Sequence, residues 1–157
     1  MTLASAHVRR IGTEDYEAVA ALLAELGRPA VSGSPDDPTR AVFARHVADP
    51  AAASLIAEVE GTAAGFISLH FRERLNHPTL EAWVPDLIVA EEYHGAGVGP
   101  ALLRRAVELT RERGCHRLTL ESGYVRLRAH RFYEREGLRD AGKYFTLELN
   151  TAAEDEE

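Results

Sequence analysis

Residues 87–103 read LIVAEEYHGAGVGPALL, and this segment carries the strongest indication of the fold. It begins with an apolar segment typical of a buried strand, passes through a loop containing Gly95, Gly97 and Gly99, and continues into an amphipathic helical pattern. Alternate glycines allow backbone N–H groups to converge, and a helix N-terminus adds partial positive charge. We therefore predict a strand–loop–helix unit that binds a phosphate or pyrophosphate. The alternative is a tight turn that needs glycine only for its dihedral angles.

The residues around these glycines exclude three well-known phosphate loops. A Walker loop ends in Gly-Lys-Ser/Thr, whereas this loop ends in Gly99-Pro100-Ala101. A dinucleotide loop requires G-x-G-x-x-G, and here the glycines are spaced by two. A kinase loop requires a far longer chain with further lysine and aspartate motifs. The loop is therefore predicted to hold a phosphate ligand of another kind.

Outward from this unit, hydrophobic periodicity predicts strands alternating with helices, the pattern of an α/β or α+β protein. A polar loop is expected at 72–79, and with no internal repeat or linker we predict one domain over 1–150 followed by an acidic tail at 151–157. The predicted helices are 15–26, 39–48, 100–112 and 128–136, and the predicted strands are 6–11, 54–60, 63–71, 81–89, 117–122 and 143–149.

The charges are distributed unevenly along the 157 residues. The net charge of −7 argues against a protein that binds nucleic acid or an anionic membrane over its whole surface. Residues 1–92 sum to −7, residues 93–139 to +5, and the last four residues to −4. This division predicts two ligand surfaces of opposite sign, although a chance distribution in a short chain would look similar.

The cysteine and histidine content argues against a disulfide-stabilised protein and against a metal-binding one. The single cysteine, Cys115, forms no internal disulfide, and the histidines show no metal-ligand spacing, so we expect no metal. No apolar run is long enough for a signal peptide or a membrane span. We expect a cytoplasmic protein with neither a nucleic-acid nor a membrane partner.

Two motifs in the same order resemble those of the GNAT superfamily of N-acetyltransferases. The window His94-Gly95-Ala96-Gly97-Val98-Gly99 is similar to the family's cofactor loop, Arg/Gln-x-x-Gly-x-Gly/Ala, with His94 in place of the usual Arg or Gln. The segment Ala129–Gly137, AHRFYEREG, matches Ala-x-x-Phe-Tyr-x-x-x-Gly. The resemblance spans roughly residues 86–145 and implies a mixed, mostly antiparallel sheet, flanked by about four helices, whose strands splay apart at an acetyl-CoA site.

The resemblance also implies how acetyl-CoA, the cosubstrate, is bound. The pantetheine arm would lie along the strand that enters the loop, with the Val89 N–H as a candidate oxyanion donor. Pro100 removes one N–H that the helix would otherwise offer. The residues assigned to the cofactor are Leu87, Ile88, Val89, His94, Gly95, Ala96, Gly97, Val98, Gly99, Arg126 and Phe132.

For catalysis, the resemblance assigns the Tyr of the Phe-Tyr pair, Tyr133, as the acid that protonates the leaving thiolate. An acid must also help the amine lose its proton; Asp86 is the first candidate because acids at the matching position hold the amine in polyamine-acetylating relatives, and Glu81 is the second. His70 and His130 are weaker alternatives. Each of these residues also has a purely structural interpretation, as a core tyrosine or a salt-bridged strand acid.

These features together predict an enzyme that transfers acetyl from acetyl-CoA to a primary amine of a small molecule. Three alternatives stay open: a non-catalytic acyl-CoA-binding or interaction domain, an acetyltransferase acting on a protein amine, and transfer to a hydroxyl or of a longer acyl chain. A homodimer is expected from the resemblance alone.

Overall fold

A computed structural model describes residues 5–27, 38–122 and 126–149. The chain forms two compact units, Met1–Leu120 and Glu121–Glu157. The strands of the described residues are β1 His7–Arg10, β2 Leu55–Val59, β3 Thr62–Ile67, β4 His70–Arg74, β5 His77–Val84, β6 Leu87–Val89 and β7 Arg117–Leu120. The helices there are α1 Tyr16–Glu25, α2 Pro38–Ala48, α3 Val98–Glu112 and α4 Leu127–Arg135, and short 3₁₀ turns lie at Thr13–Asp15 and Glu91–Tyr93.

The first unit contains two sheets. Sheet A has the strand order β1-β2-β3-β6, and sheet B has the order β4-β5-β7. Every pairing is antiparallel except that of β5 with β7. The prediction of a mixed, mostly antiparallel fold with four helices is confirmed for the described part of the chain.

Two helices cover opposite faces of sheet A. The apolar face of α1 packs Val19 and Leu22 against Ile56 and Phe66 of the sheet. On the other face, a side chain at Gly65 would meet α3, so successive residues of β3 point to different helices. Burial of α3 follows the predicted stripe: Leu102, Leu103 and Ala106 are at most 1% exposed.

Two strands that were predicted as continuous are each divided into two in the structure. Predicted strand 63–71 belongs to β3 and β4 with a break at Ser68-Leu69, and predicted strand 81–89 belongs to β5 and β6 with a break at Pro85-Asp86. Proline has no N–H to donate to a ladder, which explains the second break. The predicted polar loop 72–79 was also wrong: it forms a hairpin, in which β4 and β5 are joined by Leu75-Asn76.

Helix ends agree more closely with the sequence. Gly114 and Gly137 adopt a left-handed conformation after α3 and α4, which is typical of the residue that follows a helix. Helix α3 starts at Val98 rather than Pro100, so the proline occupies the third helical position. The first-turn N–H groups lack intrahelical acceptors, and proline is therefore tolerated there as well.

The second unit contains α4 and the residues that follow it. The strand predicted at 143–149 is absent from the described residues, which carry no ladder pairing over this range. Tyr144, Phe145, Leu147 and Leu149 are each more than 60% exposed. Alternating apolar residues predict a strand only if one face is covered, and that coverage is a tertiary property. The single domain over 1–150 stays a prediction, and the acidic tail 151–157 lies outside the described residues.

Candidate active site

The strands of the first unit separate where β5 ends. Up to Val84, β5 pairs in parallel with β7 of sheet B, and after the bend at Pro85 the chain continues as β6 against β3 of sheet A. Strand β6 is the last strand in the order of sheet A. The splayed strands predicted from the sequence are therefore present, with Asp86 at the point of divergence.

The backbone of β6 has one edge turned away from β3. Ser68 N–H donates to Asp86 O at 2.9 Å, and Ala90 N–H donates to Ala64 O at 2.8 Å. In an antiparallel ladder, the N–H and C=O groups of successive residues point alternately toward the partner strand and away from it. The N–H groups of Leu87 and Val89 therefore point away from β3, and those of Ile88 point toward Phe66, its register partner.

The glycine loop follows directly. Gly95 and Gly97 have φ of +83° and +84°, a left-handed conformation that disfavours other residues, and a Cβ at either position would meet nothing within 4 Å. These two glycines are thus required by conformation, and the space around them is open. Gly97 is also the N-cap of α3, whose first-turn amides face the end of the loop.

His94 fixes the loop to the end of β6. Its Nε2 lies 2.8 Å from Val89 O, which is a hydrogen-bond acceptor, so the ring nitrogen carries the proton in this contact. The imidazole is exposed. His94 therefore ties the loop to the strand through one nitrogen and leaves the other, Nδ1, for solvent or ligand.

Asp86 is held by a serine on the neighbouring strand segment. Ser68 Oγ donates to Asp86 Oδ2 at 3.0 Å and accepts from Asp86 N–H at 2.8 Å. Ser68 is only 5% exposed, whereas Asp86 is half-buried. The Ser68 hydroxyl therefore orients the Asp86 carboxylate.

Two histidines lie on the same side of the splay as Asp86. The His46 and His70 ring centroids are 4.7 Å apart, and His46 Nε2 is 2.5 Å from Ser54 Oγ. Burial lowers the pKa of both imidazoles, and the nearby carboxylates of Asp49 and Asp86 act in the opposite direction on each. Both rings are therefore predominantly neutral at pH 7 and can accept a proton.

Glu81 lies on β5 opposite Arg72, and its environment differs from that of Asp86. It is fully buried, and its carboxylate accepts from Arg117 Nε at 2.6 Å, Arg72 Nε at 2.9 Å and Arg74 Nη1 at 3.2 Å. Burial raises its pKa, but the three hydrogen bonds outweigh burial and bring the pKa to about 2. Such a carboxylate is a weak base, so these contacts favour a structural role over the predicted proton transfer.

The second unit carries the remaining predicted residues. Tyr133 is 9% exposed, and burial raises the pKa of its phenol while the Arg126 charge acts weakly in the opposite direction. Phe132 packs beside Tyr133 with ring centroids 5.5 Å apart. Arg126 is exposed at the N-cap of α4. Tyr133 is therefore a protonated phenol at neutral pH.

Several residues were not identified from the sequence as parts of a site. Gly65, Ser68 and His46 have no local motif, and their importance comes from neighbours distant in the chain. A Cβ at Gly65 would lie 2.9 Å from Val98 Cγ1 and 3.0 Å from Ile88 O, so this glycine allows the start of α3 to approach β6. For His46 and His70, the only indication in the sequence of a functional role is that histidine can accept a proton near neutral pH.

Other features of the described residues lie away from the splay. A cleft of about 650 Å³ opens at the turn end of the β4–β5 hairpin and is lined in part by Glu73, Arg74 and Arg113. We assign the chemistry to the splay, because the outward amides and glycine loop lie there. Among the described residues, none of the helices has the length and apolarity to cross a membrane, and no group of three or more metal-ligating side chains occurs.

Comparison with known proteins agrees with this geometry. The sequence profile of the acetyltransferase (GNAT) family matches residues 9–138. Aminoalkylphosphonate N-acetyltransferase from Salmonella typhimurium is 32% identical over 142 residues, which is 90% of this chain and 90% of the relative.

Solved structures share the fold at lower identity. An acetyltransferase from Trypanosoma brucei superposes with a TM-score of 0.77 at 24% identity, covering 92% of this chain and 100% of that structure. An aminoglycoside N-acetyltransferase in complex with CoA superposes with a TM-score of 0.80 at 16% identity, covering 94% of this chain and 97% of that structure. Taken together with the splayed strands and the glycine loop, the profile match shows that this chain belongs to the acetyltransferase (GNAT) family.

Proposed function

We propose that the protein transfers the acetyl group of acetyl-CoA to a primary amine of a small molecule by direct attack of the amine on the thioester. The observation that carries this proposal is the continuous stretch from Asp86 to Gly99, which joins an oriented carboxylate, the outward N–H groups of Leu87 and Val89, and a glycine loop that leads into α3. The family match and the named relatives, which are N-acetyltransferases, support the same chemistry.

The chain offers two kinds of contact to acetyl-CoA, which supplies the activated acetyl group. The outward backbone of Leu87 and Val89 is suited to the amide groups of the pantetheine arm, because an edge strand has unpaired donors and acceptors. The loop His94–Gly99 and the first turn of α3 are suited to the pyrophosphate, because their amides converge without intervening side chains. Ala96 belongs to this loop. Ile88 and Val98 contribute by packing, Val98 being 1% exposed.

During transfer, negative charge develops on the acetyl carbonyl oxygen. We assign the Val89 N–H as the donor to this oxygen, because that N–H points outward from the sheet next to the loop. A preorganised backbone donor stabilises such charge, and loss of one donor of this kind costs about 100- to 1000-fold in kcat. The His94 contact with Val89 O holds the same peptide region in place.

Asp86 is the group that we assign to the incoming amine. Its carboxylate is oriented by Ser68, and two neutral imidazoles lie nearby to pass on the proton that the ammonium loses. Glu81 is a weaker candidate because three guanidiniums hold its carboxylate. The amine nitrogen forms the new bond to the carbonyl carbon, the carbon–sulfur bond breaks, and the sulfur needs a proton to leave as a thiol.

We assign that proton to Tyr133 on the strength of the Phe-Tyr motif, and the raised pKa of its phenol keeps the proton available at neutral pH. Phe132 is assigned to packing next to the cofactor, and Arg126 to an anionic part of CoA. These three assignments rest on the motif and on the second unit considered alone.

The acceptor is proposed from the relatives. Aminoalkylphosphonate and aminoglycoside acetyltransferases both act on amines of small molecules by their names, so small primary amines are the class to test first. A protein amine stays the second candidate.

The test is thiol release from acetyl-CoA across a panel of small amines and peptides, with the wild type and Asp86→Asn. We expect turnover of at least one small amine and a decrease of about 100-fold or more in kcat/KM for Asp86→Asn, with the KM for acetyl-CoA unchanged. Glu25→Gln, which changes an exposed acid at the end of α1, is the matched control. Tight CoA binding without turnover of any amine would instead identify an acyl-CoA-binding domain.

A further inference from the structure

Sheet B carries a cluster of three arginines around one carboxylate. We call this cluster the arginine triad; its members are Arg72, Arg74 and Arg117. All three contact Glu81, at 2.9, 3.2 and 2.6 Å. Among the described residues, Glu81 is the acid within salt-bridge distance of the triad, so the cluster carries two positive charges in excess. The side chains of Arg72, Arg74 and Arg117 are 38%, 41% and 55% exposed, whereas the side chain of Glu81 is buried.

Stabilising Glu81 does not account for three cations. A buried carboxylate needs donors for its remaining lone pairs, but neutral donors would supply them without surplus charge. Each extra guanidinium adds repulsion between like charges. Arg72 and Arg117 contact Glu81 through Nε, and this leaves both Nη groups of each side chain without a hydrogen bond to any described residue. These planar donors match the oxygens of a phosphate or phosphonate.

A continuous series of contacts joins the triad to the splay. The Arg72 guanidinium lies 4.8 Å above the Trp83 ring, and Trp83 contacts His70 with 5.4 Å between ring centroids. Asp86 in turn lies close enough to His70 for its charge to act on the imidazole. A series of neighbouring side chains therefore leads from Asp86 past His70 and Trp83 to Arg72 of the triad.

The register sets part of the distance along this series of side chains. His70 and Arg72 are opposite Trp83 and Glu81 in the register and two residues apart in β4, so at about 3.3 Å per residue they are separated by about 7 Å. The distance from His70 to Asp86 adds to this separation. An amine held at Asp86 would therefore reach the triad with an anionic group on the order of 10 Å away.

We propose that the arginine triad is a subsite for a doubly charged oxyanion of the acceptor, so that the preferred substrates are small primary amines with a phosphate or phosphonate group about 10 Å from the nitrogen. The position of the amine in this inference rests on the proposed acetyl transfer. The anion site is supported independently, by the excess positive charge of the triad. Two surplus positive charges match a dianion better than a carboxylate. Trp83 supplies an apolar surface for the connecting chain.

A binding experiment tests the anion site without any catalysis. Trp83 is the sole tryptophan of the chain, so its fluorescence reports on the triad through Arg72. Inorganic phosphate is titrated at constant ionic strength with saturating CoA, so that the glycine loop is occupied. We expect a saturable change, weakened about 10- to 100-fold in Arg117→Gln and partly restored in Arg117→Lys. Arg105→Gln, an exposed arginine of α3, is the matched control and should behave as the wild type.

Activity measurements then test the distance. We compare ω-aminoalkyl phosphates of two to eight carbons with the matching ω-amino alcohols, expecting kcat/KM to favour the longer phosphates by about 10-fold or more and this preference to disappear in Arg117→Gln. Equal rates for phosphates and alcohols, or no saturable fluorescence change, would overturn the subsite and leave acetyl transfer intact. Phosphate binding without acetylation of any amine would retain the subsite and reject the proposed reaction. Arg74→Gln, which changes the longest of the three contacts, gives an independent check if Arg117→Gln fails to fold.

Discussion

Single residues differ in how their environment adjusts their chemistry. Asp86 accepts a hydrogen bond from the Ser68 hydroxyl and is half-buried, whereas Glu81 contacts three guanidiniums and is fully buried. Both are strand acids in the sequence, and their different partners separate a candidate base from a structural acid. Tyr133 shows a third case, because burial stabilises the neutral phenol.

The raised pKa of Tyr133 gives a pH prediction at this scale. A raised pKa means that the phenol keeps its proton up to a higher pH than the usual 10, so kcat should show no decrease from loss of this acid below pH 10. Tyr133→Phe should lower kcat by about 100-fold or more across the neutral range. Steady-state kinetics from pH 6 to 11 on both proteins check this.

Tyr144→Phe, an exposed tyrosine of the same unit, is the control for removing a phenol and should leave kcat unchanged. A decrease in wild-type kcat centred near neutral pH that Tyr133→Phe removes would contradict the assignment.

Among the elements, the contact of β3 with α3 places the glycine loop. Gly65 is opposite Val89 in the register, and a Cβ there would be 2.9 Å from Val98 Cγ1 and 3.0 Å from both Ile88 O and Leu102 Cδ1. A backbone oxygen cannot move aside as a flexible side chain does. The absence of a side chain at Gly65 therefore sets how closely the start of α3 approaches β6.

We expect Gly65→Ala to separate these elements, with a loss of about 1–3 kcal/mol in the free energy of unfolding and a higher KM for acetyl-CoA. Urea denaturation and steady-state kinetics measure the two effects. Gly142→Ala is the matched control, because a Cβ there would meet nothing within 4 Å. Wild-type stability and KM in Gly65→Ala would show that the contact does not position the loop.

At the scale of the whole molecule, the net charge of −7 conceals a local excess of positive charge on sheet B. The sequence predicted a positive surface in 93–139, but two of the three arginines in the triad come from the acidic half of the chain. The net charge of the chain therefore bears on its solubility, whereas the local charge indicates which ligands can bind at a given surface.

Glu81 also makes the stability of the fold depend on pH. Its pKa is about 2 in the folded protein against 4.5 for an ordinary glutamate, so the unfolded chain takes up the proton first as the pH falls. The stabilisation by the charged carboxylate is complete above about pH 4.5 and declines toward pH 2. We expect Glu81→Gln to be about 3 kcal/mol less stable than the wild type at pH 7, with a smaller difference at pH 3.

Denaturation at several pH values checks this, with Glu73→Gln as the control on an exposed position of the same hairpin. A difference between wild type and Glu81→Gln that does not change between pH 7 and pH 3 would mean that the carboxylate is not ionised when buried.

Local patterns in the sequence are enough to predict the glycine loop, α3, the strand that enters the loop and the Phe-Tyr motif. Each of these is a local pattern, in which neighbours in the chain are also neighbours in space. The tertiary structure decided the break at Pro85, the β4–β5 hairpin, the outward direction of the Val89 N–H and the approach at Gly65. It also decided the partners of Glu81, which lie 7, 9 and 36 residues away in the chain. The physical reason is that cross-strand register, which no short window of sequence specifies, selects which distant side chains share a face.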